Sequence, residues 1–344
     1  MKLIAPFILM LSALRLAMLP HIAYADCSTV NGGFASTFVV DKSGGGNFNT
    51  IQSAIDSIPP NNGQWIKIQI NTGVYKEKVT IPREKPCIVL EGQDRSVTTI
   101  TFDAHEGTDT STTFTSNADN IVAKGLTFKN SYNHALLLKH LSSDGSLPPI
   151  TQALAARILG EKSAFFECGF LGLQDTLWDG RGRHYFHKCY IEGAVDFIWG
   201  RGQSFYEECS INVTAGAYSS ERRQGYITAQ GRESSEDPSG FVFKRGKIFG
   251  TMQAYLGRAY RPYSRVIFQD TTMNSVVVPE GWYAWNYAGK EENFTYAEVN
   301  CKGPGSDTSK RVPWEKKLNP SQLKEFSLSS FVNQDGWIGR LPEN

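Results

Sequence analysis

The chain has 344 residues, 40% of them hydrophobic and 20% charged, with a formal net charge of +1. That balance excludes a disordered chain, and the near-neutral charge argues against electrostatic capture of nucleic acid. With 32 Gly, 20 Phe and 14 Tyr, the composition leans towards strands and turns in one domain of repetitive β architecture.

Residues 1–25 read as a signal peptide. Lys2 supplies the positive start, Leu3 to Pro20 is apolar apart from Arg15 and small polar residues, and Ala23-Tyr24-Ala25 fits a small-x-small cleavage site. A membrane anchor is the alternative, but Arg15 splits the run and its length falls short of a spanning helix. The expectation is therefore a secreted mature domain, 26–344, with no membrane contact after cleavage. Removal of Lys2 and Arg15 turns 35 basic residues into 33, against 34 acidic ones. A protein of net charge about −1 must recognise a polyanion through local groups.

Ile51, Ala54, Ile55 and Ile58 recur at helical spacing, and Pro59-Pro60 ends the helix. Ile66 to Ile70 then alternates as a strand should. Short strand-like runs follow at Lys78 to Ile81, Cys87 to Leu90, Thr99 to Phe102, Ile121 to Ala123 and Leu126 to Phe128. Residues 130–150, with His134, His140 and Pro148-Pro149, break the pattern and read as a long cleft-forming loop.

A repeat underlies these runs. Cys168, Cys189 and Cys209 lie 21 and then 20 residues apart, each followed two places later by Phe170, Ile191 and Ile211. Leu126 and Phe128 precede Cys168 and Phe170 by 42 residues, twice the period. A period near 20 with one strand in register per turn predicts a parallel β-helix, its coils stacked at roughly 4.8 Å. Stacked cysteines would lie within bonding range, so the spacing allows Cys168–Cys189 or Cys189–Cys209. No CxxC pair or acidic calcium cluster occurs, so no metal or other cofactor is expected.

Asp175 and Asp196 are also 21 residues apart, each seven positions after a repeat cysteine. Stacked coils would set the two carboxylates roughly 5 Å apart on adjacent rungs. Two unpaired carboxylates that close cannot both ionise freely, which poises an acid beside a base or nucleophile. Two turn aspartates facing water would show the same spacing.

The surrounding motifs decide between these readings. They are Gly73-Val74-Tyr75-Lys76-Glu77, Gln152-Ala153-Leu154-Ala155, Gly172-Leu173-Gln174-Asp175-Thr176-Leu177, Gly193-Ala194-Val195-Asp196-Phe197-Ile198-Trp199-Gly200 and Leu256-Gly257-Arg258. In this order, from about Phe38 to Leu341, the set resembles the signature of plant-type pectin methylesterases (pectinesterases). The resemblance implies an all-β, right-handed parallel β-helix with a short N-terminal helix, and hydrolysis of galacturonate methyl esters in pectin. It implies Asp196 as nucleophile, Asp175 as acid and then base, Gln152 and Gln174 as oxyanion donors, and Arg258 as the partner of Asp196. Thr113, Phe114, Trp178, Trp199, Tyr255, Tyr260 and Trp285, together with Gln152 and Arg258, are the implied substrate-binding positions. Of the two cysteine pairs, the resemblance favours Cys189–Cys209. The expected location is the cell wall and the expected state a monomer, with a proteinaceous inhibitor as a candidate partner; sensitivity to such an inhibitor is not given by the sequence. No inhibitor-like pro-region fits between residue 25 and the strands near Phe38, which suggests the short form.

Two positions depart from the family pattern. Ala259-Tyr260 stands where Pro-Trp is usual, and Trp199 where phenylalanine is usual. Asn212-Val213-Thr214 and Asn293-Phe294-Thr295 are candidate glycosylation acceptors. The rival functions are a polysaccharide lyase or glycosidase on the same scaffold, and a pectin-binding protein that has lost turnover. A carboxylate pair about 5 Å apart also suits a retaining glycosidase, but the paired glutamines and Arg258 favour an esterase.

Overall fold

The computed structural model describes residues 27–30, 32–134, 150–215 and 224–342. The signal peptide, His140 and Pro148-Pro149 lie outside them. Among the described residues the strands form three parallel sheets of ten, eight and eight strands. The chain visits the sheets in rotation, so each strand hydrogen-bonds to its equivalent one coil away: a parallel β-helix. The expected helix spans Ile51–Ser57, with the Thr50 side chain accepting from the Ser53 N–H as its N-cap.

From Glu167 onwards the coils turn one corner through a residue in the left-handed region. Glu167, Lys188, Glu208, Arg245, Asp270 and Asn300 all have φ between 51° and 57° there. The next residue points inward, and this is the slot occupied by Cys168, Cys189, Cys209 and Cys301. Two residues further on, Phe128, Phe170, Ile191 and Ile211 pair in register. Phe128 pairs directly with Phe170, so the 42-residue interval is one coil enlarged by the 130–150 insertion, not two coils.

The interior is a stack of side chains rather than a mixed core. Phe165, Phe186, Tyr206, Phe243 and Phe268 occupy successive in-register positions, with centroids 4.5–5.0 Å apart. The ten-stranded sheet is apolar on its outer face too. Val89, Val122, Ala164, Phe205, Val242 and Ile267 are buried there beneath the C-terminal residues Phe326, Phe331, Val332, Trp337 and Leu341. Among the described residues no helix is long and apolar enough to cross a membrane.

The expected Cys189–Cys209 bridge is absent, and the disulfide joins Cys27 to Cys87. Side chains stacked in register leave parallel Cβ atoms one rung apart, about 4.8 Å, beyond the 3.5–4.5 Å a disulfide takes. The buried thiols bond to backbone instead: Cys189 Sγ to the Phe165 carbonyl (3.4 Å) and Cys209 Sγ to the Phe186 carbonyl (3.5 Å). Cys87 follows no such ladder and meets Cys27 from the N-terminal segment. Alkylation under denaturing, non-reducing conditions should label Cys168, Cys189, Cys209 and Cys301 and leave Cys27 and Cys87 linked. Cys27→Ser should lower unfolding stability by about 2–4 kcal/mol in denaturant titrations.

Candidate active site

The site lies on the outer face of the eight-stranded sheet that contains Leu177–Asp179, Val195–Gly200, Gly225–Gln230 and Ala254–Arg258. Gln174 bridges to Val195 and Leu177 pairs with Ile198, so Asp175 and Asp196 are neighbours on adjacent rungs. Both have left-handed backbone, with φ of 59° and 49°, a conformation Asp tolerates better than most residues. The register shifts between Val195 and Ile198, a bulge at Asp196.

Arg258, two strands away, holds Asp196 through a two-pronged ion pair, Nε to Oδ1 at 2.8 Å and the second nitrogen to Oδ2 at 2.5 Å. Its guanidinium is sandwiched between the rings of Trp285 (3.7 Å) and Tyr226 (4.1 Å). Thr108 Oγ1 donates to Gln152 Oε1 (2.9 Å), which leaves the Gln152 amide N–H groups for the Asp175 carboxyl.

The electrostatics are asymmetric. Asp175 and Asp196 are 6% and 8% exposed. Burial first, and the Asp196 charge second, push Asp175 up to about 8 against the pull of Arg258 and Gln152. Burial also raises Asp196, but the hydrogen bonds and charge of Arg258 oppose it. Asp196 therefore ionises first, and Asp175 keeps its proton near neutrality.

Gln152, Gln174, Asp175, Trp178, Asp196, Trp199, Arg258, Tyr260 and Trp285 converge on one cleft of about 480 Å³. Three expected residues do not join them. Phe114 is fully buried, its ring 4.5 Å from Phe128, because it takes the inward position of Phe114–Ser116 beside Val79 and Ala156. Thr113 is fully buried, and its hydroxyl donates to the Lys129 carbonyl (3.1 Å). Tyr255 stacks on Tyr226 (5.5 Å) and reaches the site only through that ring. Sequence reasoning missed Thr108, Asp109 and Ala229, which line the cleft, and Tyr226 beneath Arg258. It also missed Arg157, whose guanidinium lies 4.6 Å over Trp178. Nothing local marks Thr108 or Asp109. Tyr226 could have been found, since it lies second in the strand Gly225–Gln230, between those of Asp196 and Arg258.

The pectinesterase family model matches residues 37–335. This chain belongs to the pectinesterase family. It is 48% identical over 337 residues to a protein named probable pectinesterase 55 from Arabidopsis thaliana, covering 97% of each chain. A second relative, probable pectinesterase 29 from the same plant, is 47% identical and covered to 96% on both sides. The solved pectin methylesterase from carrot superposes with a TM-score of 0.79 at 29% identity, over 88% of this chain and 95% of that one.

The two family departures meet in the cleft wall. Trp199 stacks on Trp178 (4.5 Å, 20° between planes), and Tyr260 meets Trp199 edge-on (6.0 Å, 88°). Arg261 covers Tyr260 at 4.6 Å, and Trp285 stands 6.2 Å away. Trp199 and Tyr260 are thus in direct edge contact, and a larger ring at 260 is expected to crowd Trp199. Tyr260→Trp should raise KM on a methylated oligogalacturonide with little change in kcat, and adding Trp199→Phe should restore it. Steady-state kinetics of the two singles and the double measure the coupling.

Proposed function

We propose that this pectinesterase-family carboxylic-ester hydrolase converts galacturonate methyl esters in pectin to pectate and methanol through a covalent two-aspartate route. The observation that carries the reading is a buried Asp175, its carboxyl pushed up to about 8 by burial and the neighbouring charge, beside an Asp196 held by Arg258. An Asp196 oxygen attacks the ester carbonyl carbon. The carbonyl electron pair moves onto oxygen, where the Gln152 and Gln174 amides can stabilise the developing charge. As the tetrahedral intermediate collapses, the bond to methoxy oxygen breaks and Asp175 passes its proton to that oxygen, releasing methanol. The Asp175 carboxylate then takes a proton from water. The resulting hydroxide attacks the acyl carbon, and Asp196 departs as carboxylate with Asp175 reprotonated.

Family membership and the paired amides argue against a lyase or glycosidase. The full set of polar groups argues against a binding protein without turnover. We place the protein in the cell wall as a secreted monomer open to a proteinaceous inhibitor. Glycosylation fits Asn293, at the end of the surface turn Glu291–Asn293, better than Asn212. The Asn212 amide already donates to the Tyr190 hydroxyl at 2.8 Å.

Methanol release from methylated pectin tests the assignment. Asp196→Asn should abolish it while the far-UV circular dichroism stays native; retention of more than about one per cent of turnover would falsify the nucleophile role. Asp175 must be protonated to act as acid, so its contribution is present below its pKa and lost as pH rises through about 8. The kcat/KM profile should therefore lose activity on its alkaline side near pH 8, an apparent value belonging to the coupled pair. Arg258→Gln removes the charge that favours ionised Asp196, and should move the acidic limb to higher pH.

A further inference from the structure

Behind the cleft wall lies a buried polar cluster that the ester chemistry does not use. Asp179, His184 and Tyr206 are each fully buried. His184 Nδ1 meets Asp179 Oδ1 at 2.5 Å, and its Nε2 meets the Gly160 carbonyl at 2.8 Å. The Gly160 carbonyl can only accept, so Nε2 carries hydrogen, and Nδ1 shares a proton with the Asp179 carboxyl. The Tyr206 hydroxyl donates to the other Asp179 oxygen at 2.6 Å. Burial alone would lower the His184 pKa, but the Asp179 charge and hydrogen bond and the Gly160 carbonyl outweigh it and raise it.

The cluster spans three coils: Gly160 in one, Asp179 and His184 in the next, Tyr206 in the one after. Apolar residues stacked in register would complete this interior without desolvating charge, so a buried ion pair is a poor choice for stability alone. Its location suggests another use. Asp179 directly follows Trp178 in a strand of only three residues, Leu177–Asp179. Its carbonyl accepts from the Gly202 N–H (3.0 Å), in the turn that follows Trp199 and Gly200. One residue therefore fastens the exits of both strands that carry the stacked indoles. The glycines leave no slack around it. A Cβ at Gly200 would stand 2.1 Å from the Asp179 carbonyl oxygen, and one at Gly202 would stand 2.1 Å from Asp179 Oδ1.

We propose that Asp179, His184 and Tyr206 are positioning residues that fix the Trp178–Trp199 indole pair at the angle at which it receives a pyranose ring of the polymer. The pair contacts substrate and the cluster does not, so the cluster acts on binding and leaves proton transfer at Asp175 and Asp196 alone. This rests on the reading of the cleft as a pectin-binding esterase site.

The test uses Asp179→Asn, His184→Gln and Tyr206→Phe in the full chain, with two readouts. The first is kinetics on a methylated oligogalacturonide. Asp179→Asn and His184→Gln should raise KM by about three- to tenfold, the scale of one aromatic contact, with kcat within about twofold of wild type. Tyr206→Phe keeps the ion pair and should shift KM in the same direction by less. The second readout needs no turnover. Two indoles stacked at 4.5 Å couple their transitions, so the circular-dichroism couplet that Trp178→Phe removes should weaken in all three variants. Folded variants with wild-type KM and an intact couplet overturn the proposal, as does a fall in kcat at unchanged KM. If the charged-pair variants do not fold, Tyr206→Phe decides alone, and an unchanged couplet and KM in it refute the proposal. Absence of methanol release by the wild-type protein would refute the esterase reading instead, and the couplet would still judge the network.

Discussion

In-register stacking at one rung spacing governs every part of this molecule. At inward positions the spacing is favourable: aromatic rings such as Phe186 and Tyr206 lie face to face at 4.5 Å, and each coil buries the ring of the last. At the outward positions of Asp175 and Asp196 the same spacing sets like charges side by side. Two unit charges about 5 Å apart repel by about 3 kcal/mol at an effective dielectric near 20. The fold cannot relieve this by moving one residue, since displacing a strand would disturb the ladder beneath it. The relief is chemical: one carboxyl keeps its proton and the other acquires a counter-ion.

Arg258 decides which is which. It reaches Asp196 from a strand two rungs away, and rings on both faces confine its guanidinium. A lysine could supply charge but neither the two-pronged geometry nor the flat faces that Tyr226 and Trp285 grip. The aromatic residues beside the site therefore have two tasks. Trp285 borders the cleft and also holds the cation that keeps Asp196 ionised. Tyr226 does only the second, which is why a search for sugar-stacking residues passes over it.

The fold was legible because rung neighbours in a solenoid are close in sequence. The period of Cys168, Cys189 and Cys209 states the pairing of Phe170, Ile191 and Ile211, and carries the adjacency of Asp175 and Asp196 with it. What failed to show was whatever the period does not encode. The 42-residue interval before Phe170 hid a single enlarged coil, since an insertion and an extra turn lengthen the chain alike. Thr113 and Phe114 were placed in the cleft although their side chains are buried, because inward and outward positions depend on a corner that no residue there announces. The bridge between Cys27 and Cys87 uses a segment outside the repeat. The apolar outer face of the ten-stranded sheet was likewise invisible until its cover, the C-terminal segment around Phe331 and Trp337, was in place.

The left-handed backbone of Asp175 and Asp196 invites reading as strain stored for catalysis. The rest of the molecule argues otherwise. Glu167, Lys188, Glu208, Arg245, Asp270 and Asn300 adopt the same conformation at corners remote from the cleft. It is the ordinary means by which this coil changes direction. What differs at 175 and 196 is where the corner points and what fills it. Each corner there brings a short acidic side chain to the floor of a cleft, beneath bulky aromatic walls that exclude water. Desolvation is the leading cause of the rise in both carboxyls, so the acidity of the pair is set by the walls and by Arg258 rather than by backbone tension. A scaffold corner becomes a reactive one when its neighbours, on the same rung and the next, remove water and supply a single cation.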